Sequence, residues 1–363
     1  MPDLPSLEDL DRNPFLVLYE LTQACDLACR HCRASAQSLR HPDELTEEES
    51  RHFIDQLAGL VPQPLLVMTG GDPFKRPDLY ALVHHAVRAG LRVAVTPSAT
   101  AQVDRWSLLR LRDEGVRRLA VSMDGIREAT HDGIRGVPGS MARTQEIVHI
   151  AQEIGLQVQI NTTVSMRNVD ELEAMADCLA TRGIVLWSVF FLVPVGRGAV
   201  EERIPAARYE TVFAMLWRKS RLAPFAIKTT EAPHFRRFVA QARNGNVREP
   251  LATEARPRPS LGLNDGKGVA FVSHTGFIYP SGFLPVSCGR VPQDSLLEVY
   301  RHHPVFRDLR DPQRLKGKCG ACEFRALCGG SRARAHAVSG DYLAPEPDCV
   351  YQPAAWKAKE GAC

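Results

Sequence analysis

Between residues 15 and about 195 the chain alternates short apolar runs, rich in leucine and β-branched side chains, with longer stretches in which apolar positions recur every three or four residues. The first pattern fits strands of a covered sheet, and the second fits amphipathic helices lying on it. Strands are expected at 15–21, 65–69, 91–96, 116–122, 156–164 and 184–192. Helices are expected at 46–58, 77–89, 104–113, 140–154 and 169–181. Gly90, Gly115, Gly155 and Gly183 follow four of these helices, where a left-handed residue closes the last turn and admits the next strand. Strand–helix units with right-handed crossovers give an α/β fold, with six parallel strands in a partial (β/α)6, TIM-like barrel.

Past Pro194 the pattern changes. Helices are expected at 205–218 and 234–244, followed by a proline-rich connection at 250–259. Residues 269–273, the turn His274-Thr275-Gly276 and residues 277–280 read as a hairpin, and a short helix is expected at 296–303. The resulting organisation is an N-terminal extension 1–14, a barrel 15–200, a helical connection and linker 201–260, and a small C-terminal domain 261–363.

A net charge of +3 over 363 residues offers no basic field for nucleic acid. The acidic N-terminus lacks the basic start and apolar stretch of a secretory signal. The most apolar run, 186–195, falls short of the ~20 residues of a bilayer span. These features predict a cytoplasmic chain with no membrane span and no nucleic-acid partner. In that compartment ten cysteines point to metal rather than disulfides. Seven form two groups, Cys25/Cys29/Cys32 and Cys319/Cys322/Cys328/Cys349, while Cys178, Cys288 and Cys363 stand apart. His84-His85, His302-His303 and Arg236-Arg237 read as solvated or capping side chains of helices.

The first group, C-x3-C-x2-C, falls in the loop after the first strand, the end at which barrel enzymes place their chemistry. Three thiolates can hold three irons of a cubane and leave the fourth open to a substrate or cofactor. A structural zinc site, with His31 as the fourth ligand, is the alternative. The string Leu21-Thr-Gln-Ala-Cys25-Asp-Leu-Ala-Cys29-Arg-His-Cys32 resembles the radical S-adenosylmethionine (SAM) superfamily, and in particular its SPASM branch. That resemblance implies a 4Fe-4S cluster on Cys25, Cys29 and Cys32 whose open iron chelates SAM. It also implies reductive cleavage of SAM to a 5'-deoxyadenosyl radical, hydrogen abstraction from a substrate, and a reductase or a ferredoxin- or flavodoxin-type electron donor.

Further motifs follow in the family's order. Gly70-Gly71-Asp72-Pro73 stands where the family carries Gly-Gly-Glu-Pro beside the SAM ammonium, with aspartate replacing glutamate. Ser122-Met-Asp124-Gly125 resembles S-x-D-G and is followed by Arg135-Gly136 and Asn161-Thr162-Thr163. On the resemblance Ser122, Asp124, Arg135 and Asn161 are candidates to hold the SAM carboxylate and ribose. Read alone, Asp124-Gly125 fits a turn, Arg135 a surface ion pair and Asn161 a sheet-end cap.

The second group, Cys319-x2-Cys322-x5-Cys328 with Cys349 downstream, can close a whole cubane or a zinc site. The stretch from Gly329 to Cys349 resembles the C-terminal region of SPASM and twitch proteins, which implies a second, auxiliary 4Fe-4S cluster on these four residues. The cysteine such domains carry shortly after Cys328 is Arg332 here. Cys288 reads as a small buried residue, so one auxiliary cluster is the expected count.

Within that branch the chain looks most like the enzymes of alternative haem synthesis and the nitrite-reductase haem maturase. This likeness implies oxidative decarboxylation of a tetrapyrrole propionate: a hydrogen atom is abstracted, carbon dioxide leaves, and the residual electron passes to the auxiliary cluster. Arg332 and Arg334 are candidates to pair substrate carboxylates. Thr96-Pro97-Ser98-Ala99-Thr100, where relatives carry Thr-Asn-Gly, and Val193-Pro194-Val195-Gly196-Arg197-Gly198 mark a separate subgroup. Two alternatives stand beside this reading. One is a peptide maturase, although only about 14 residues precede the first strand where such enzymes often carry a recognition domain. The other is a non-enzymatic iron–sulfur or zinc protein, against which the glycine-rich SAM motifs count.

Overall fold

The computed structural model describes residues 7–244 and 262–360; the proline-rich connection expected at 250–259 lies outside them. Ten strands make one sheet: β1 Leu16–Glu20, β2 Leu65–Thr69, β3 Arg92–Val95, β4 Arg118–Ser122, β5 Gln157–Val164, β6 Leu186–Phe191, β7 Ala226–Thr230, β8 Val269–Val272, β9 Phe277–Tyr279 and β10 Gly289–Arg290. Their order is β10-β9-β8-β1-β2-β3-β4-β5-β6-β7. Every pair from β8 to β7 is parallel, and β9 and β10 are antiparallel additions.

Strand β5 shows how the sheet is layered. Val158, Ile160, Thr162 and Val164 are buried against the helices, whereas Gln157, Gln159, Asn161 and Thr163 alternate with them on the opposite side. Two-residue periodicity thus separates an apolar outer layer from a polar inner one. The outer layer is continuous, running through Phe53, Leu82, Leu108, Ile147, Leu179, Trp187 and Phe213. The expected helices recur as Glu47–Ala58, Leu79–Arg88, Arg105–Asp113, Ser140–Glu153 and Leu172–Ala180. Gly90, Gly115, Gly155 and Gly183 all adopt positive φ.

Three elements depart from expectation. Strand β7 is a seventh parallel strand inside the supposed helical connection, its short run Ala-Ile-Lys-Thr-Thr being too polar to stand out. The hairpin β8–β9 forms as expected, but β8 also pairs with β1, Leu16 opposite Val269. The helix Glu128–Arg135 occupies a stretch read only for its S-x-D-G and Arg-Gly motifs, and ends in left-handed Gly136.

Arg334 departs from the expected role, being buried with all its side-chain nitrogens engaged by protein, whereas Arg332 is buried with one terminal nitrogen, Nη2, left without a partner among the described residues. Arg332 donates to the carbonyls of Tyr342 (3.0 Å) and Ala344 (2.8 Å). Arg334 pairs with Glu346 (3.1 Å) and Asp348 (3.2 Å) and donates to the carbonyl of Phe191 at the end of β6 (3.2 Å). Arg334 thus fastens the C-terminal segment to the end of β6 and has no donor left for a substrate carboxylate. Arg236 and Arg237, expected on an exposed face, are likewise engaged. Arg237 is buried against Glu210 (3.1 Å), and Arg236 donates to the carbonyls of Leu327 and Leu263.

Candidate active site

The loop after β1 carries Cys25, Cys29 and Cys32, and it is built from outside itself. Three glycines from three other loops press on its backbone. A Cβ on Gly71, after β2, would stand 2.4 Å from the Ala24 carbonyl oxygen. One on Gly136 would stand 2.6 Å from that of Ala28, and one on Gly196, after β6, 2.5 Å from that of Cys32. No side chain fits at such separations, and Gly136 and Gly196 also hold positive φ. Arg197 then ties the two ends of the loop together. Its Nε donates to the Cys29 carbonyl (2.9 Å), its guanidinium to the Ala36 carbonyl (2.8 Å), and its backbone N–H to the Cys32 carbonyl (2.9 Å).

The three sulfurs have individual settings. Cys25 Sγ meets Ser98 Oγ at 3.3 Å and accepts the Leu27 N–H (3.3 Å). Arg135 reaches Cys29 Sγ at 3.7 Å, and Cys32 Sγ accepts the Ala36 N–H (3.4 Å). Cys25 and Cys29 are buried, and burial pushes both thiols up. Deprotonated sulfurs there need compensating positive charge, which a metal cluster supplies.

Asp124, fully buried after β4, organises the side of the loop nearest Cys29. Its carboxylate pairs with Arg135 (2.5 Å) and His31 (2.9 Å) and accepts the Thr163 N–H (2.7 Å). Burial alone would raise this carboxyl, but the charges of Arg135 and His31 outweigh burial and hold it well below the usual carboxylate range. The expected surface role of Arg135 is replaced by a buried ion pair touching a cysteine. His31, the candidate zinc ligand, is directed to Asp124. His131 accepts the Asp124 N–H (3.1 Å), and burial lowers its pKa to about 4, so it stays neutral.

Asp72 is buried after β2 and faces the third strand's loop. It accepts Thr100 Oγ1 (2.7 Å) and the Phe74 N–H (3.2 Å), the latter capping the short helical turn Pro73–Lys75. Ser98 meanwhile donates to the Gly71 carbonyl (2.7 Å). The segment standing where relatives carry Thr-Asn-Gly therefore supplies two hydroxyls, Ser98 to a cysteine and Thr100 to Asp72. Gly70 packs on Thr22, where a Cβ would lie 2.7 Å from its carbonyl oxygen. Ser122 and Asn161 are register partners on β4 and β5, and Asn161 accepts Gln159 Nε2 (2.8 Å).

Cys25, Cys29, Cys32, Gly70, Gly71, Asp72, Asp124 and Arg135 thus gather around one loop, with Ser122 and Asn161 on the strands beneath. Sequence reasoning missed Ser98, Thr100 and Arg197 as members of the site. The only signal was that their two segments departed from the family's pattern.

The second group also converges. Cys319, Cys322, Cys328 and Cys349 line one small pocket together with His234, Arg237, Lys318 and Tyr351. Burial raises Cys322 to about 11 and Cys328 to about 12. Cys319 Sγ accepts the Glu346 N–H (3.3 Å) and Cys328 Sγ the Gly330 N–H (3.4 Å). His234 is wholly buried beside them, with neither ring nitrogen hydrogen-bonded among the described residues. Such an orphaned group suits a cavity filled by something that accepts a hydrogen bond. Cys288 lies elsewhere, buried in the outer apolar core and donating to the Val286 carbonyl (3.3 Å). Among the described residues no three His, Cys, Asp or Glu side chains converge as a single metal ion requires, and no helix is long and apolar enough to cross a membrane.

A sequence profile of the Radical SAM superfamily matches residues 19–179. The chain is similar to the AdoMet-dependent heme synthase of Methanosarcina barkeri, with 39% identity over 341 residues covering 94% of this chain and 97% of that one. It is 36% identical over 354 residues to the AdoMet-dependent heme synthase of Nitratidesulfovibrio vulgaris, covering 96% and 95%. Among solved structures, Streptococcus suis SuiB bound to S-adenosylmethionine superposes with a TM-score of 0.72 at 15% identity, over 94% of this chain and 78% of that one.

Proposed function

Since the chain belongs to the radical SAM superfamily and is a radical SAM enzyme, we propose that it acts in haem biosynthesis, oxidatively decarboxylating the propionate side chains of an iron tetrapyrrole. The observation that carries this reading is the near full-length similarity to two heme synthases, joined to a two-site arrangement of cysteines suited to a radical oxidation. In the family a 4Fe-4S cluster and SAM, when bound, supply reductive SAM cleavage and a hydrogen-abstracting radical.

The residues that would hold that first cluster are Cys25, Cys29 and Cys32. Gly70 and Gly71 clear space for a ligand to approach backbone, while Arg135, held by Asp124, places positive charge beside Cys29. Ser122 and Asn161 offer polar side chains on the inner side of the sheet to the ligand's carboxylate or ribose. Asp72 is occupied by Thr100, so its part is to hold the loop after β3 against the Gly70-Gly71 turn, accepting Thr100 Oγ1 and the Ser98 N–H (3.4 Å).

Cys319, Cys322, Cys328 and Cys349 would hold an auxiliary 4Fe-4S cluster, which would supply a one-electron acceptor. Support comes from four sulfurs around one cavity, two backbone N–H donors to sulfur and the unpartnered His234. A soluble reductase or a ferredoxin- or flavodoxin-type protein would deliver the electron that starts turnover, with the chain acting in the cytoplasm.

The test is anoxic incubation of the reconstituted enzyme with SAM, a reductant and an iron tetrapyrrole bearing propionates. Mass spectrometry is expected to show loss of a carboxyl group and one hydrogen per propionate, with matching 5'-deoxyadenosine. SAM cleavage that leaves the tetrapyrrole intact while modifying a precursor peptide would move the assignment to peptide maturation.

A further inference from the structure

The helix His234–Arg243 brings two donors to the second cysteine pocket. His234 opens that helix and Arg237 follows three residues later, a spacing that puts both on one face. Both line the pocket shared by Cys319, Cys322, Cys328 and Cys349. The imidazole is wholly buried and packs against the rings of Tyr209 (centroids 5.1 Å apart) and Phe213 (4.8 Å). Those rings fix its plane, yet neither of its nitrogens has a hydrogen-bond partner among the described residues. Arg237 is buried too. Its terminal nitrogens bind Glu210 (3.1 Å) and Gln241 (2.7 Å), while its Nε has no partner among the described residues.

Packing alone does not account for the histidine. Every form of imidazole carries at least one N–H, and a buried donor without an acceptor is costly, whereas phenylalanine would fill the same space between two aromatic rings at no such cost. The carboxylate that lines the pocket, Glu346, is already taken by Arg334 (3.1 Å) and the Ser331 N–H (2.6 Å). Lys318, also in the lining, donates to the Cys349 carbonyl and adds a further cation. Sulfur is the acceptor chemistry that the four cysteines bring to this pocket.

We propose that His234 donates a hydrogen bond to the sulfur of an iron–sulfur cluster held by these cysteines, and so raises its reduction potential. This rests on the reading of Cys319, Cys322, Cys328 and Cys349 as ligands of an auxiliary 4Fe-4S cluster. Reduction adds one negative charge to such a cluster, and a fixed N–H donor at its sulfur favours the reduced form. In the proposed decarboxylation, abstraction of a hydrogen atom and departure of carbon dioxide turn a propionate into a vinyl group and release one electron. A raised potential at the second site favours that electron's arrival there. His234 is thus a positioning residue for the electron, without contact to the substrate.

The experiment uses the full chain with Cys25, Cys29 and Cys32 changed to alanine, reconstituted anoxically so that the second site alone is loaded. Its cluster is poised at a series of potentials and read by electron paramagnetic resonance. At the midpoint of this parent, His234→Phe should lower the ratio of reduced to oxidised cluster about tenfold, equivalent to about 59 mV for a one-electron couple. His234→Gln, whose amide still donates, should recover part of that shift. Parent and variants should each hold about four irons per chain. About four irons with a midpoint unmoved by His234→Phe overturns the proposal while leaving the auxiliary cluster standing. Strong nitrogen coupling in the parent's spectrum, the mark of imidazole bound to iron instead of sulfur, also overturns it. Should His234→Phe lose its iron, His234→Leu decides in the same way, a tenfold fall sustaining the proposal and an unmoved midpoint overturning it. Zinc or no metal in the parent fails the auxiliary-cluster reading itself, and the proposal falls with it.

Discussion

Replacing Arg197 by methionine keeps the length of the side chain and removes the fork that ties the cysteine loop. Two hydrogen bonds from a charged donor disappear, to the carbonyls of Cys29 (2.9 Å) and Ala36 (2.8 Å). Bonds of this class contribute about 1.5–3 kcal/mol each. The side chain is half-buried, so the lower end applies and the pair is worth about 3 kcal/mol. The loss falls on the loop, because the apolar layer that dominates global stability does not include Arg197. Local opening should become about a hundredfold more frequent, at about 1.4 kcal/mol per factor of ten. The assay follows decay of the SAM-responsive electron paramagnetic resonance signal after addition of a ferrous chelator under anoxic conditions. Arg197→Met should lose it about a hundredfold faster. Arg197→Lys should fall between, since an ammonium cannot reproduce the guanidinium's fork. Both should melt within a few degrees of wild type. Decay of Arg197→Met at the wild-type rate would refute the clamp.

Other outcomes follow from the same geometry. Gly71→Ala should roughly halve the iron bound per chain, because the new Cβ meets two backbone carbonyls that cannot move aside; Gly133→Ala, whose Cβ meets nothing within 4 Å, should keep its iron and gain up to about 1 kcal/mol in denaturant unfolding. Cys288→Ala should bind as much iron as wild type by metal analysis, since its thiol stands outside both cysteine groups. Burial would raise Glu346, but Arg334 outweighs it and lowers the carboxyl to about 2. Its contribution is therefore complete above the usual carboxylate value near 4.5 and is lost as pH falls toward 2. The stability difference between wild type and Glu346→Gln, measured by denaturant titration, should be flat from pH 6 to 8 and shrink between about pH 4.5 and 2.

The two cysteine groups and the barrel strands were readable because each rests on local pattern: thiol spacing, apolar runs, and glycines closing helices. Strand β7 was not, since Lys228 and Thr230 share its inner side and Thr229 interrupts the outer one, diluting the apolar run that marks its neighbours. The pairing of β8 with β1 joins residues about 250 positions apart, which local periodicity cannot report. The loops after β3 and β6 looked like deviations from a family pattern, yet Ser98, Thr100 and Arg197 in them are parts of the site. Arg334 misled for the opposite reason. An arginine near a cluster suggests an acidic ligand, and only the positions of Glu346, Asp348 and the Phe191 carbonyl show that its donors are already taken.

The most direct measurement is iron and sulfide content with electron paramagnetic resonance, on anoxically reconstituted wild type and on the Cys25/Cys29/Cys32→Ala triple variant, each with and without SAM. About eight irons in the wild type, about four in the variant, and a spectral response to SAM in the wild type alone are the expected results for two cubanes, one of them open to SAM. Zinc in place of iron, or a wild-type spectrum indifferent to SAM, would contradict the assignment of Cys25, Cys29 and Cys32 as the seat of the chemistry.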